Sequence, residues 1–335
     1  SDNLFPQAIS AINRQSAIHR GILNNKVIYT TGWGFTFDET NKTLDAFVKK
    51  ANNKDETLRS VVRKIITDKL HSGNAFLELV TDAKKSFLNI FHKDYTTARV
   101  GKGGDTIKLH SNWASILTNR KELVTIPLYP EFREIDGQQR SIYHFKSYEP
   151  EYTNYGLPSW FAAMDSAGIC YKTNKWNISR LDNSFISSGV FLIEGNISKV
   201  DADKLVKDLK AQYTGEGKQG KILFMTKQLG DAGKTSGSVF TPFSNVSDAD
   251  WTNLHKQSTS DLIIAHNWFR SLSGIAEPGQ LGNSQQIRNE YQLALNTVIT
   301  DEQEGILEVL LKIIKSEMKI DDSFLKFVNK PPLSL

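Results

Sequence analysis

Apolar residues recur at three- and four-residue spacing through residues 55–70, at Leu58, Val61, Val62, Ile65, Ile66 and Leu70, and Gly73 follows as a stop. That spacing predicts a helix with one buried face. The period then shortens. AFLELV and SFLNIF, separated by TDAKK, read as the two strands of a β-hairpin. Strand-like runs follow at 106–109, 123–127 and 141–145. Upstream, residues 6–20 read as one helix, with Ala8, Ile9, Ile12 and Ile18 roughly on one side.

The pattern changes again at Gly156 and Pro158, after which a helix of about 28 residues is expected, longer than the globular mean and suggestive of a strut. Its apolar face is Trp160, Ala163, Met164, Ala167, Tyr171, Ile178, Leu181 and Phe185. Residues 188–243 read as a compact insert. A strand at 190–193 leads to a helix at 198–213, capped by Asp201 or Ser198, and strands follow at 221–225 and 239–243. A second long helix covers 247–270 and the last one 284–319. Thr300 with Gln303 three residues on makes a capping box, so a kink or restart is expected near Thr300. SFLKFV offers a final strand.

Between these helices lies RSLSGIAEPGQLGNSQQ, residues 270–286. A Gly/Pro/Ser-rich loop of this length exceeds the usual helix–helix connection of about 2–8 residues, and such loops tend to be functional or disordered. It carries neither a nucleophile–base pair nor a set of metal ligands. It reads as a part that touches something rather than one that reacts.

Composition narrows the classes. At 335 residues with 39% hydrophobic content the chain can bury a sizeable core. No apolar run approaches the roughly 20 residues that span a bilayer, so no membrane partner is expected. The start, SDNLFPQAIS, has no basic n-region or apolar h-region and no initiator Met, and reads as a trimmed chain without a signal peptide. The single cysteine, Cys170, excludes an intrachain disulfide framework and is expected as a packed thiol. The formal charge is only +4, with 41 Lys+Arg interspersed among 37 Asp+Glu. A protein that grips nucleic acid through phosphates usually shows a strong basic patch.

The glycine-rich motifs do not carry nucleotide chemistry. Gly215, Gly217 and Gly220 spell G-x-G-x-x-G, but they follow a helix and precede a strand, the reverse of what a pyrophosphate site needs. Gly233-Lys234-Thr235 resembles the end of a P-loop. Gln228 stands where the first glycine belongs, and SVFTPF continues as a strand. Gly101, Lys102, Gly103 and Gly104 read as a tight hairpin turn. The seven histidines show no metal spacing and are expected at the surface or at interfaces; His255 and His266 lie too far apart to share an ion. No catalytic constellation, metal site or cofactor is expected.

Taken in order, these parts resemble the portal proteins of tailed bacteriophages over nearly the whole chain. GNAFLELVTDAKKSFLNIFH (73–92) is similar to the family's N-terminal wing hairpin, and YGLPSWFAAMDSAG (155–168) to the start of its first stem helix. Residues 185–193 resemble the end of that helix and the turn into the clip. LVKDLKAQYTGEGKQGKILFM (205–225) is similar to the clip helix and the strand after it. DLIIAHNWFRSLSGIAEPGQLGNSQQIRNEY (261–291) resembles the end of the second stem helix, the tunnel loop and the start of the long wing helix.

The resemblance implies an α+β, elongated, portal-type protomer. Its parts are an α/β wing (1–157), a first stem helix (158–187), a small α/β clip (188–243), a second stem helix (244–270), a tunnel loop (271–283) and a long kinked wing helix with a C-terminal strand (284–335). The short stretch after Lys319 leaves little room for a crown of helices. The implied function is a homo-oligomeric ring of twelve at one capsid vertex in the virion, assembled in the host cytoplasm. Double-stranded DNA would pass through its channel at packaging and ejection. Terminase, head–tail adaptor and major capsid protein are the implied partners, and no enzymatic activity is implied. Ser273, Gly274, Glu277, Pro278, Gly279, Gln280 and Gly282 are expected to face the DNA, and Lys204, Lys207, Lys210, Lys218 and Lys234 to meet the docking partners. Two other classes stay open: another capsid-associated scaffold or adaptor, and a nucleotide hydrolase using Gly233–Thr235. Across 244–283 the carboxylates Asp248, Asp250, Asp261 and Glu277 outnumber Lys256 and Arg270. A channel lined that way lets phosphates slide, because each strong phosphate contact would have to be broken at every step.

Overall fold

A computed structural model describes residues 3–182, 189–194, 200, 201, 203, 204, 207, 208, 222–227, 239–242, 248–275, 284–320 and 324–332. The chain divides into two compact units. The first joins Ser1–Ala167 to Ser260–Leu335 and the second is Gly168–Thr259.

The first unit opens with α1 (Phe5–Gln15) and α2 (Ala17–Thr31), where the sequence pattern predicted a single helix over 6–20. Ser16 makes the difference. Its backbone is extended, and its hydroxyl accepts from the His19 N–H at 3.3 Å, so it ends one helix and caps the next. Then come β1 (Phe35–Phe37), α3 (Lys42–Lys49) and α4 (Leu58–Ser72). Thr57 caps α4 through a bond from Ser60 N–H, and Gly73 ends it in the left-handed region at φ 73°. The hairpin is β2 (Asn74–Thr81) against β3 (Asn89–Lys93), with Leu79 opposite Ile90. β4 (Ala98–Val100), β5 (Thr106–Leu109) and β6 (Val124–Pro127) form an antiparallel sheet, and Gly104 supplies the positive φ of the β4–β5 turn. β7 (Arg133–Ile135) and β8 (Gln138–Lys146) complete a sheet of order β3-β2-β8-β7.

Every residue of β2 is buried, as expected of a strand covered on both faces. α4 supplies Leu58, Val61, Val62, Ile65 and Ile66 to the same core as Ile306, Leu310, Ile313 and Ile314 near the chain's end. Two glycines permit the crossing after α4. A Cβ on Gly73 would lie 2.4 Å from the Leu157 carbonyl carbon, and one on Gly156 would lie 2.2 Å from Ser147 O. Asn74 joins the same crossing, donating to Gly156 O at 2.8 Å and accepting from Gly156 N–H at 2.9 Å.

A 3₁₀ helix at Ser159–Ala163 leads into α5 (Met164–Asp182), within which the chain passes between units. Residues 159–182 of the predicted strut are helical, and 183–187 lie outside the described residues. In the second unit β9 (Gly189–Glu194) pairs in parallel with β10 (Ile222–Lys227) and antiparallel with β11 (Val239–Pro242). The described residues between β9 and β10, at 200–208, are helical. α6 (Asp248–Ala265) returns the chain to the first unit.

Beyond residue 283, α7 (Ser284–Ala294) and α8 (Thr300–Met318) are joined by a π-turn at Leu295–Ile299. The break falls where it was predicted but is not a capping box. Thr300 Oγ1 donates back to Leu295 O at 2.6 Å, and Gln303 turns away to Thr30 O at 2.8 Å. β12 (Leu325–Phe327) pairs antiparallel with β1, Phe327 opposite Phe35.

Candidate functional site

The stretch His266–Gly274 and the start of α7 form two shoulders around residues 276–283. The first shoulder leaves α6 through a tight reversal: Asn267 adopts φ 48° and Trp268 N–H reaches back to Ile263 O at 3.1 Å. A 3₁₀ turn at Ser271–Ser273 follows, and Gly274 closes it at φ 73°. The shoulders touch each other. Glu290 Oε2 accepts from Ser271 N–H at 3.2 Å and from Ser271 Oγ, while its Oε1 accepts from Gln286 Nε2 at 2.8 Å. Tyr29 of α2 packs between them, its ring centroid 5.9 Å from Trp268 and 5.8 Å from Tyr291.

Behind the first shoulder lies a buried polar chain. Asn13 Nδ2 donates to His71 O at 3.2 Å, which turns Asn13 Oδ1 toward His19 Nε2 at 2.9 Å. His19 Nε2 must then carry the proton, leaving Nδ1 to accept from His266 Nε2 at 3.0 Å. Trp160 covers both rings, 4.4 Å from His19 and 6.3 Å from His266. Burial, with Arg20 adding to it, lowers His19 to about 4. Burial lowers His71 to about 3 and His266 well below its ordinary value. Lys26, only 4% exposed, donates to the His266 carbonyl at 2.8 Å.

Burial holds Lys26 down at about 8, with nearby Glu302 opposing and Lys69 adding to the effect. The expectation of surface histidines is corrected here: His19, His71, His110 and His266 are all buried. The sequence held a signal for His19 and for its polar neighbours, since His19, Lys26 and Thr30 fall on the α2 face that carries Ile22, Leu23 and Val27. A polar residue in an apolar stripe marks a buried polar network.

Of the residues expected to face DNA, Ser273 is buried, its hydroxyl bonded to Phe269 O at 2.7 Å, so it sits at the root of the segment. Gly274 is exposed. Glu277, Pro278, Gly279, Gln280 and Gly282 lie outside the described residues, as do Lys210, Lys218, Lys234 and the glycines of the two nucleotide-like motifs. Lys204 and Lys207 are exposed. Cys170 is 1% exposed, and burial raises its thiol.

Two cavities accompany this frame. One in the first unit, about 190 Å³, is lined by Phe5, Ile9, Phe76, Tyr155 and the buried Arg99. Arg99 is satisfied by neutral acceptors, among them Ala98 O at 2.7 Å and Gln7 Oε1 at 2.8 Å, and burial lowers it to about 10. The other, about 400 Å³ in the second unit, is walled by Trp176 and Trp251, stacked at 5.1 Å. Among the described residues no group of three or more His, Cys, Asp or Glu is placed to hold a metal ion, and no helix is long and apolar enough to cross a membrane.

The family model described as phage portal protein matches residues 27–303, most of the chain and both shoulders with it. The chain belongs to the phage portal protein family. No curated protein matches it in sequence. Among solved structures it is similar to a chain of the virion of a native gene transfer agent particle, at TM-score 0.60 and 16% identity, covering 96% of this chain and 84% of that one. A chain of the neck of the native gene transfer agent particle, computed with C12 symmetry, gives TM-score 0.55 at 16% identity, with coverage of 96% and 84%. An HK97 family phage portal protein from Corynebacterium diphtheriae gives 0.55 at 13% identity, covering 95% of this chain and 93% of that one. At these identities the likeness is one of fold.

Proposed function

We propose that this portal family chain is the subunit of a twelve-membered ring at one capsid vertex, and that DNA passes through the ring's channel during packaging and ejection. The observation that carries this is the family match across residues 27–303, supported by the fold it shares with a chain from a C12 neck. On this reading residues 1–157 and 284–335 form the wing, 158–187 and 244–270 the stem, and 188–243 the clip. Head-to-tail contacts between like protomers close into such a ring.

Residues 274–282 line the channel and meet the DNA. The acidic balance of the stretch around them keeps that contact weak, so the duplex slides. The clip docks the packaging terminase and afterwards the head–tail adaptor, with the exposed Lys204 and Lys207 among the contacts. The rim of the ring meets the major capsid protein. Deleting residues 274–282 tests the channel assignment. Rings that assemble normally but fill heads poorly are the expected result, and normal yields of filled heads contradict it. Alanine at Lys204 and Lys207 is expected to weaken terminase or adaptor docking, and unchanged docking contradicts that assignment.

A further inference from the structure

A helix leaves its last four carbonyls without partners inside the helix, and the end of α6 is no exception. At that end the chain must turn sharply, through Asn267 at φ 48°. The carbonyl at the turn, His266 O, receives the Nζ of Lys26, a residue 240 positions away on α2. An ammonium at a helix C-terminus is favourable for the dipole as well as for the carbonyl. This ammonium, though, is buried with no carboxylate hydrogen-bonded to it in the first unit's core. Its charged neighbours are Lys69 of α4 and Glu302 of α8, which pair with each other, and the imidazoles of His19 and His266 are neutral. Replacing a buried charge by an apolar side chain of similar volume is often neutral or stabilising. Lys26 is therefore not explained by stability.

We propose that Lys26 is a positioning residue: by holding the His266 carbonyl, with the Asn13–His19–His266 chain bracing the same residue from its side chain, it sets the path of His266–Gly274. The assignment rests on the channel reading for its functional meaning, since that shoulder leads into the residues proposed to meet DNA. The bracing is directional. Asn13 Nδ2 is committed to His71 O, so each imidazole has a single tautomer that satisfies the chain. His266 is thereby held at two points, the ring through His19 and the carbonyl through Lys26. Ser271 and Tyr29 then tie the stretch to α7. The structure thus fixes the shoulder from α2 as well as from α6.

The test is hydrogen exchange on the full chain, comparing the native sequence with Lys26→Met and Lys26→Arg. In Lys26→Met, amides of 267–274 are expected to exchange at least about tenfold faster, while the melting temperature holds or rises. Lys26→Arg, which keeps charge and donors, is expected to restore protection. Unchanged protection of 267–274 in Lys26→Met overturns the proposal, and so does equal loss in the Met and Arg variants, which would make packing the determinant. Should the Met variant not fold, the native chain decides the matter. Between pH 7 and pH 9.5 Lys26 loses its charge, and the protection factors of 267–274 should fall relative to those of α4 as the charge-assisted part of the bond is lost. Constant relative protection overturns the proposal. The channel reading fails separately: a loosened shoulder in rings that still fill heads at the normal rate contradicts that reading and leaves the anchoring intact.

Discussion

Glu290 accepts from both polar groups of Ser271, the backbone N–H at 3.2 Å and the hydroxyl at 2.5 Å, across 19 positions of sequence. One carboxylate thus joins the chain entering the 276–283 segment to the helix leaving it. Removing it strands a partly buried N–H and a hydroxyl together. Glu290→Ala is expected to cost about 1–3 kcal/mol in denaturant unfolding, and Glu290→Gln, which keeps one acceptor, less. Equal losses in the two variants contradict the clasp.

The buried histidines set an acid limit. A histidine whose folded-state value lies below its unfolded one binds fewer protons when folded, so stability is lost as pH falls. For His19, lowered from 6.5 to about 4, the loss begins near pH 6.5 and is complete near 4. That shift corresponds to about 3 kcal/mol, at about 1.4 kcal/mol per unit. His71, lowered to about 3, adds to it. Denaturation curves from pH 7 to 4 should show a steep fall that His19→Gln makes shallower, and a parallel fall in that variant counts against the assignment.

Lys26 acts in the alkaline range with the same sign. Its value falls from 10.5 to about 8 on folding, so between those limits the folded chain has released a proton that the unfolded chain keeps. Stability from this group therefore rises as pH climbs from about 8 to 10.5, by about 3 kcal/mol in all. The difference in unfolding free energy between Lys26→Met and the native chain should be largest near pH 7 and shrink toward pH 10. A pH-independent difference contradicts the burial of a charged lysine.

The crossing of Gly73 and Gly156 tolerates no side chain. Gly156→Ala places a methyl 2.2 Å from Ser147 O and 2.5 Å from Gly73 O, both backbone atoms. A loss of about 3 kcal/mol or more is expected by thermal unfolding, whereas Gly305→Ala, inside α8 with nothing within 4 Å, is expected to gain up to about 1 kcal/mol. Comparable melting temperatures for the two variants contradict the steric account.

Much of the architecture was legible in the sequence because it is periodic. α4, the β2–β3 hairpin, the strands of the second unit and the break near Thr300 all follow from spacing that one face of an element imposes. Most of what was missed depends on contacts far apart in the chain. Ser16 splitting α1 from α2 is local and was readable as a cap, yet the apolar residues on either side disguised it as one helix. Thr300 and Gln303 fit a capping box by spacing, but tertiary partners, Thr30 O and Asn329, took Gln303 instead. The shoulder was legible as a loop with glycines. Its fastening was not, because Lys26, His19 and Glu290 acquire their roles only when α2 and α7 flank the end of α6.

The central claim is a ring, and the most direct measurement is electron microscopy of the purified protein with class averages viewed down the particle axis. Rings of about twelve subunits around an open centre are the predicted result, as heterologous contacts that close would give. Compact dimers with a single two-fold axis would contradict it.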